Sequence, residues 1–576
     1  MVKKTSGVLF CAVLIVVMAC NKRAPDKENG NIDTSGTVIT VPDPAVATTI
    51  GFFMEGWAQK KFIAPTYIEK EQPTEAAQTV TLDASVVATK ISPALFGNNS
   101  NIYMSQMVTE TKLINHIREL HPGIIRFPGG NLSSLYFWNS APGSSPADAP
   151  PKIKDSNGNF IDAGYWYGGN TDGWTLSVEN YYKMLQQTGN EGIITINYAY
   201  ARYSTAKDPV AAAAHLAADW VRYDKGRTRY WEVGNESNGV WQAGYRIDVS
   251  QNKDGQPEII SGDLYGRHFK VFADSMRKAA TELGNTIYIG AQLLEHEPAT
   301  WATVTDKQWN TGVLQQAGTA DFFIVHSYFT PFNTNSNPPE VLASAEAVTK
   351  AISDHLNSAI TNTHVNMKPV ALTEWNIFAM GSQQMISQVA GMHAVLVIGE
   401  MMKNKFGMAS RWDLANAWED GNDHGLFSQG EAASGEEKWA PRPAFYYLYF
   451  FRKMLGDRFI NSEVTGASAN INAYASTYSS GEAAVTLVNK STVARNVQLA
   501  FRNFKAGKRY YWYVLTGGEG VSSFSRKVFI NGLGPAGIAG GPDNYTTLKA
   551  FSAGTQAGIK IALPPMSVIF AVVEKP

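Results

Sequence analysis

The sequence predicts an α/β protein: a (β/α)8 TIM barrel carrying an accessory antiparallel β-sandwich. Three observations point there. Between Ile91 and Leu455 eight short apolar runs alternate with helical patterns. After Leu455 the helical periodicity stops and strand-like runs follow at sandwich spacing. The fourth and seventh runs each end in a glutamate, and catalytic groups in such barrels sit at the C-terminal ends of the strands.

The chain opens with Lys3 and Lys4, then a dozen nearly all apolar residues from Val8 to Ala19. That run is too short to span a bilayer as a helix and has the length of a signal-peptide core. It ends at Met18-Ala19-Cys20. This resembles the bacterial lipoprotein signal, which implies residues 1–19 as signal and Cys20 as the lipidated residue. The expected location is the bacterial cell envelope, held to the membrane through Cys20. Cys11 and Cys20 are the only cysteines, so the mature chain would have no disulfide, Cys–metal site or thiol nucleophile. Residues 20–48, rich in Asn, Asp, Lys, Pro and Thr, read as a flexible tether.

Residues 49–90 carry strand-like runs at Gly51–Met54 and Thr79–Ala88, assigned to the C-terminal sandwich. The barrel, residues 91–455, has runs at Ala94–Gly97, Gly123–Pro128, Ile193–Tyr200, Arg229–Asn235, Thr286–Gln292, Asp321–Tyr328, Val370–Trp375 and Ser410–Ala415. Between them lie helices such as Thr111–Leu120 and Val210–Tyr223, the latter opened by Asp208-Pro209 as cap and first turn. The stretch Ser140–Thr175 reads as an active-face insertion. Residues 456–576 form the sandwich, with strands at Ile471–Tyr478, Ala483–Val488, Val497–Phe501, Tyr510–Leu515 and Ile559–Val573.

Composition bounds the function. The 576 residues are 44% apolar and 17% charged, which excludes wholesale disorder. A net charge of −1 leaves no electrostatic footprint for nucleic acid. Aromatics are 11%, enough to supply ring-stacking surfaces.

Glu236 and Glu374 are the candidate catalytic pair. Retaining glycosidases need two carboxyl groups about 5–5.5 Å apart, one to protonate the leaving oxygen and one to attack the anomeric carbon. Strands four and seven can deliver such a pair across one barrel mouth. Glu232, four residues before Glu236, reads instead as a wall or barrel-interior group.

Asn235-Glu236 and Thr373-Glu374-Trp375 resemble the acid/base and nucleophile signatures of clan A glycoside hydrolases. Arg126-Phe127-Pro128-Gly129-Gly130-Asn131 is similar to a segment of glycoside hydrolase family 51, the α-L-arabinofuranosidases. So are Trp231 to Gln242, Ile91 to Gly97 and Leu563 to Val568. The similarity covers roughly residues 80–576. It implies Glu236 as general acid/base, Glu374 as nucleophile and Asn235 as a hydrogen-bond partner of the neighbouring sugar hydroxyl. It implies that His326 or Tyr328 orients Glu374 and that Arg126 steadies its charge. Asn98, Asn131, Trp241, Trp375 and Trp412 complete the candidate substrate-binding set, with Trp138, Trp166, Trp174 and Trp418 also near strand ends or active-face loops. No metal or cofactor is expected.

The implied activity is retaining O-glycoside hydrolysis of plant or algal polysaccharide, arabinofuranosidase-like. Family 51 enzymes usually carry an acidic sugar-binding residue just after the first strand. Here the chain runs Gly97-Asn98-Asn99-Ser100-Asn101. An endo-acting clan A glycanase on xylan, glucan or galactan therefore stands as the alternative. A non-catalytic carbohydrate-binding lipoprotein is the reading from another class, opposed by the presence of both carboxylates. Three weaker motifs carry no function. Gly532 to Gly537 matches G-x-G-x-x-G, but Pro535 denies it a helix. Asp420 to His424 lacks full calcium-loop spacing, and His296-Glu297 has no second zincin histidine.

Overall fold

The computed structural model describes Asp43 and residues 53–380, 382–416, 423–466, 470–518 and 524–576. The signal, Cys20, the tether apart from Asp43, and Trp418 lie outside the described residues. Eight parallel strands close into a barrel. In order they are Gly97–Asn99, Ile125–Phe127, Gly192–Ile196, Tyr230–Val233, Tyr288–Gln292, Phe322–Tyr328, Val370–Asn376 and Met408–Arg411. Helices including Thr111–Leu120, Val178–Thr188, Pro209–Asp224, Gly262–Glu282 and Pro338–Asn362 surround it. The Asp208 carboxylate caps Pro209–Asp224 by accepting from the Ala211 N–H, with Pro209 in the first turn.

Several boundaries differ from the sequence expectation. The first strand begins at Gly97, because Ser92 caps a 3-10 turn, Pro93–Phe96, that consumes the expected strand. The third ends at Ile196 and is followed by a helical turn, Tyr200–Tyr203. The helices Val304–Gln316 and Pro443–Met454 have no regular apolar stripe, since the first buries only scattered positions and the second nearly all. Phe53 and Met54 form no strand. Phe53 plugs the barrel floor, edge-on to Tyr230 at 5.4 Å and Phe322 at 5.2 Å. It joins Ile124, Ile193, Ile324, Ala371 and Met408 in an apolar lower layer.

Apart from three short strand pairs, Tyr136–Phe137 with Trp166–Tyr167, Lys152–Lys154 with Phe160–Asp162 and Ala415–Asn416 with Phe427–Ser428, the remaining strands form one large sheet that folds over on itself. Its inner faces share a core that includes Val80, Leu82, Val485, Leu487, Leu499, Ile561 and Ile569. Gln78–Lys90 lies between Arg458–Thr465 and Arg495–Arg502, so a strand from before the barrel completes the domain after it. The sheet is mostly antiparallel, but Gln78–Lys90 runs parallel to Arg495–Arg502, and Tyr67–Glu69 parallel to Ala550–Gly554. The expected long strand Ile559–Val573 is two, Ile559–Leu563 and Ser567–Val573, separated at Pro564-Pro565, which cannot donate to a ladder. The barrel helix Gln388–Lys403 packs on this domain, and the Tyr474 hydroxyl donates to Glu400 at 2.8 Å.

Candidate active site

Above the apolar layer the barrel interior turns polar, and Arg126 is its centre. It is fully buried. Nε donates to Glu232 at 2.6 Å, Nη1 to Asn99 at 3.0 Å and to Glu374 at 3.1 Å, and Nη2 to Asn235 at 2.8 Å. One guanidinium thus ties strands one, two, four and seven together. Its five fixed donors suit such a fork, and an ammonium lacks them. Glu232, also accepting from Thr195 at 2.7 Å, is a barrel-interior group.

Glu374 reaches the mouth through a bulge. Val325 pairs with Leu372, but His326 pairs with Glu374, so the register skips Thr373. Successive side chains on a strand alternate faces, and an extra residue reverses that alternation. The bulge places Glu374 inside the mouth and sends Trp375 outward. The Tyr328 hydroxyl then donates to Glu374 Oε1 at 2.8 Å.

Glu236 stands on the turn after strand four. Gly234 has φ +83° and Glu236 itself φ +44°, a left-handed conformation uncommon for a non-glycine. A Cβ at Gly234 would meet Ser237 Oγ and Tyr198 Cβ, each at 2.8 Å, so glycine is required by space as well as by φ. The Gln292 side-chain oxygen accepts from the Ser237 N–H at 3.0 Å and pins the turn. Glu236 Oε1 lies 3.0 Å from His326 Nδ1, and Trp241 Nε1 donates to Oε2 at 3.0 Å.

Glu236, His326 and Glu374 bring ligand-type atoms within 4.8 Å of one another. They are the described group able to hold a metal ion, but the Arg126 charge on Glu374 opposes a dication there. Their protonation is shared. Burial is the strongest influence on Glu374 and, with the neighbouring Glu236 charge, holds its carboxyl above the usual range against His326, Arg126 and Tyr328. Burial also pushes Glu236 up, but the His326 hydrogen bond and charge outweigh it and leave that carboxyl low. His326 is raised, the two carboxylates overcoming its burial. This order is the reverse of an acid Glu236 and an ionised Glu374. His326 Nδ1 is 3.0 Å from Glu236 and 3.8 Å from Glu374, so Glu236 takes its hydrogen bond as well as that of Trp241.

The mouth opens into a cavity of about 1400 Å3. With the pair in place, the chain can be set beside known proteins. The family model "Alpha-L-arabinofuranosidase 1 domain" matches residues 116–331. An intracellular exo-alpha-(1->5)-L-arabinofuranosidase of Bifidobacterium longum is 23% identical over 337 residues, 53% of either chain. One from Acetivibrio thermocellus is 22% identical, over 46% of this chain and 48% of that protein. The chain spans about half the length of the curated relatives it matches. The α-L-arabinofuranosidase of Thermotoga maritima in complex with arabinose superposes with TM-score 0.58 at 18% identity, covering 86% of this chain and all of that one. A family 51 α-L-arabinofuranosidase from Bifidobacterium longum gives 0.61 at 15% identity, covering 87% and 100%. The fold is that of the family 51 arabinofuranosidases.

In this family 51-like barrel the candidate residues separate into two groups. Arg126, Asn235, Glu236, His326, Tyr328 and Glu374 converge, and Asn131, Trp241 and Trp412 line the mouth. The indole of Trp412 lies against Gly129 and Gly130, where a Cβ at Gly130 would approach it to 2.7 Å, which gives the Pro-Gly-Gly turn its role. Asn98 and Trp375 are corrections to the expected set. Both are buried and turn away from the mouth, lining a small crevice with Leu120 and Leu448 on the helix side. Asn98 pairs in register with Ile125, whereas Asn99 pairs with Arg126 and shares its inward face. Asn99 is therefore the site residue, a parity readable only once the neighbouring strand is known. Trp138 packs on Trp220 with centroids 5.5 Å apart, and Trp166 edges against Tyr103.

Asp413 escaped sequence reasoning. It is buried at the mouth after strand eight, accepts from Asn101 Nδ2 at 2.5 Å, and is pushed up to about 7 by burial. A carboxyl group therefore does stand against the first-strand loop, contributed by another strand.

Arg126→Met should lower stability by about 3–5 kcal/mol, since it strands buried carboxylates. Arg126→Lys should recover less than half of that, because an ammonium has three donors and cannot reproduce the four hydrogen bonds of the fork. Urea midpoints at constant m-value measure both, and a lysine variant as stable as the native protein would contradict this account.

Proposed function

We propose that the protein is a retaining O-glycoside hydrolase of arabinofuranosidase type, acting on plant or algal polysaccharide or its fragments. The observation that carries this is the pair Glu236 and Glu374, with oxygens within 4.8 Å across one mouth. That spacing suits double displacement, where inverting enzymes hold their carboxyl groups roughly 6.5–9.5 Å apart to admit a water. The curated relatives, named as exo-α-(1→5)-L-arabinofuranosidases, support the substrate class.

In the first step a Glu374 oxygen bonds to the anomeric carbon as the bond to the leaving oxygen breaks. The Glu236 proton goes to that leaving oxygen. In the second step Glu236 takes a proton from water, the water oxygen bonds to the anomeric carbon, and Glu374 is released. Arg126 and the Tyr328 hydroxyl hold Glu374 in line and stabilise its charge. The Asn235 amide Nδ2 has no partner among the described residues, which suits a hydrogen bond to the adjacent sugar hydroxyl.

Substrate binding sets the proton order. The Glu236 side chain is 25% exposed against 7% for Glu374. A sugar filling the mouth strips water mainly from Glu236 and raises its pKa, turning it into the acid. The Cys20 anchor belongs to the same reading: an enzyme held at the cell envelope meets polymers too large to import. Among the described residues no helix is long and apolar enough to cross a membrane.

Glu374→Gln should lower turnover of aryl glycosides at least about 10³-fold, and NMR of wild-type product should show retained anomeric configuration; near-normal turnover or inversion would sink the mechanism. His326→Gln should shift both limbs of the pH profile of kcat/KM upward. Loss of the imidazolium raises Glu236, which must be protonated, and Glu374, which must be ionised; an unmoved profile would contradict the shared-proton arrangement. Cys20→Ala should move the protein from the membrane fraction to the soluble one, and a protein still in the membrane fraction would count against the anchor.

A further inference from the structure

The mouth is larger and more aromatic than one sugar requires. Small-molecule pockets run about 300–1000 Å3, and this cavity is about 1400 Å3. Large apolar side chains stand in solvent around it: Tyr103 is 44% exposed, Trp174 49%, Trp301 88% and Phe332 70%. Exposed apolar surface gathered at one place marks a binding face.

Their placement in the barrel is ordered. Tyr103 follows strand one and Trp174 lies in the loop after strand two, with ring centroids 6.2 Å apart. Trp301 follows strand five and Phe332 strand six, where Phe332 is braced edge-on by Phe378 at 5.0 Å. In a closed eight-stranded barrel, strands one and two face strands five and six. A line drawn between these two rims passes between strand four, which carries Glu236, and strand seven, which carries Glu374. Among the described residues no Lys or Arg lines the cavity, and the lining His296 and His326 are already paired, with Glu295 and with Glu236 and Glu374 respectively.

We propose that the site binds a neutral polysaccharide chain lying from the Tyr103–Trp174 rim to the Trp301–Phe332 rim, with sugars on both sides of the bond that is cut. The proposal rests on the glycosidase reading above and narrows it to cleavage within chains. Each rim offers a flat ring for the apolar face of a sugar.

The test uses the full protein with linear arabinan, xylan and xyloglucan as polymers and 4-nitrophenyl monoglycosides as short substrates. The expected product is a ladder of oligosaccharides from at least one polymer. Trp301→Ala and Tyr103→Ala, at exposed positions on opposite rims, should each raise KM for that polymer about three- to tenfold. The rise should exceed any change on the aryl glycoside, and kcat on the polymer should stay within about twofold. Monosaccharide as sole product, no polymer cleaved, equal losses on long and short substrates, or an effect at one rim alone would each overturn the proposal. None of these would touch the catalytic reading if aryl glycoside cleavage still depends on Glu374. Glutamate-independent cleavage would instead remove that reading.

Discussion

Arg126 is the constraint around which the rest of the site is arranged. A barrel of this size has a packed interior, and here its upper layer holds the buried carboxylates Glu232 and Glu374 with Glu236 beside them. Carboxylates removed from water must be paired and hydrogen-bonded, or they take up protons. The Arg126 fork meets that demand for Glu232 and Glu374 at once, and it fixes Asn99 and Asn235 in the same plane of contacts. His326 supplies the second cation-capable group between Glu236 and Glu374. The electrostatics of the proposed catalysis and the stability of the barrel mouth therefore rest on shared atoms.

The apolar lower layer makes this possible. Phe53, reaching in from before the barrel, closes the floor with Tyr230 and Phe322. Water is excluded from below, so the charge contacts above act in a low-dielectric setting that opens only at the mouth. The sandwich contributes no side chain to the mouth cavity among the described residues. Its contact with the barrel runs through helices such as Gln388–Lys403, whose Gly399 leaves room for the Tyr474 ring.

Much of this was legible in the residues. The alternation of eight runs gave the barrel, and Glu236 and Glu374 stood out because each ends a strand in a distinctive neighbourhood. The turn Pro128-Gly129-Gly130 announced itself as a motif, and its packing against Trp412 supplies the reason. Asn98 and Trp375 misled because they are adjacent to real site residues while pointing to the opposite face. Asp413 was silent because its importance comes from Asn101, far away in the chain. Phe53 looked like a strand residue because an apolar run does not reveal what it will cover.

What the sequence determined by itself was therefore the order of elements and the chemical kinds of residue at the strand ends, since periodicity and turn chemistry are local properties of the chain. What only the tertiary structure decided was which side chains face inward. The skipped Thr373 in the register of strand seven turns Glu374 into the mouth, and strand pairing selects Asn99 over Asn98. Register and bulges depend on the neighbouring strand, and a one-residue difference reverses the face of every residue beyond it.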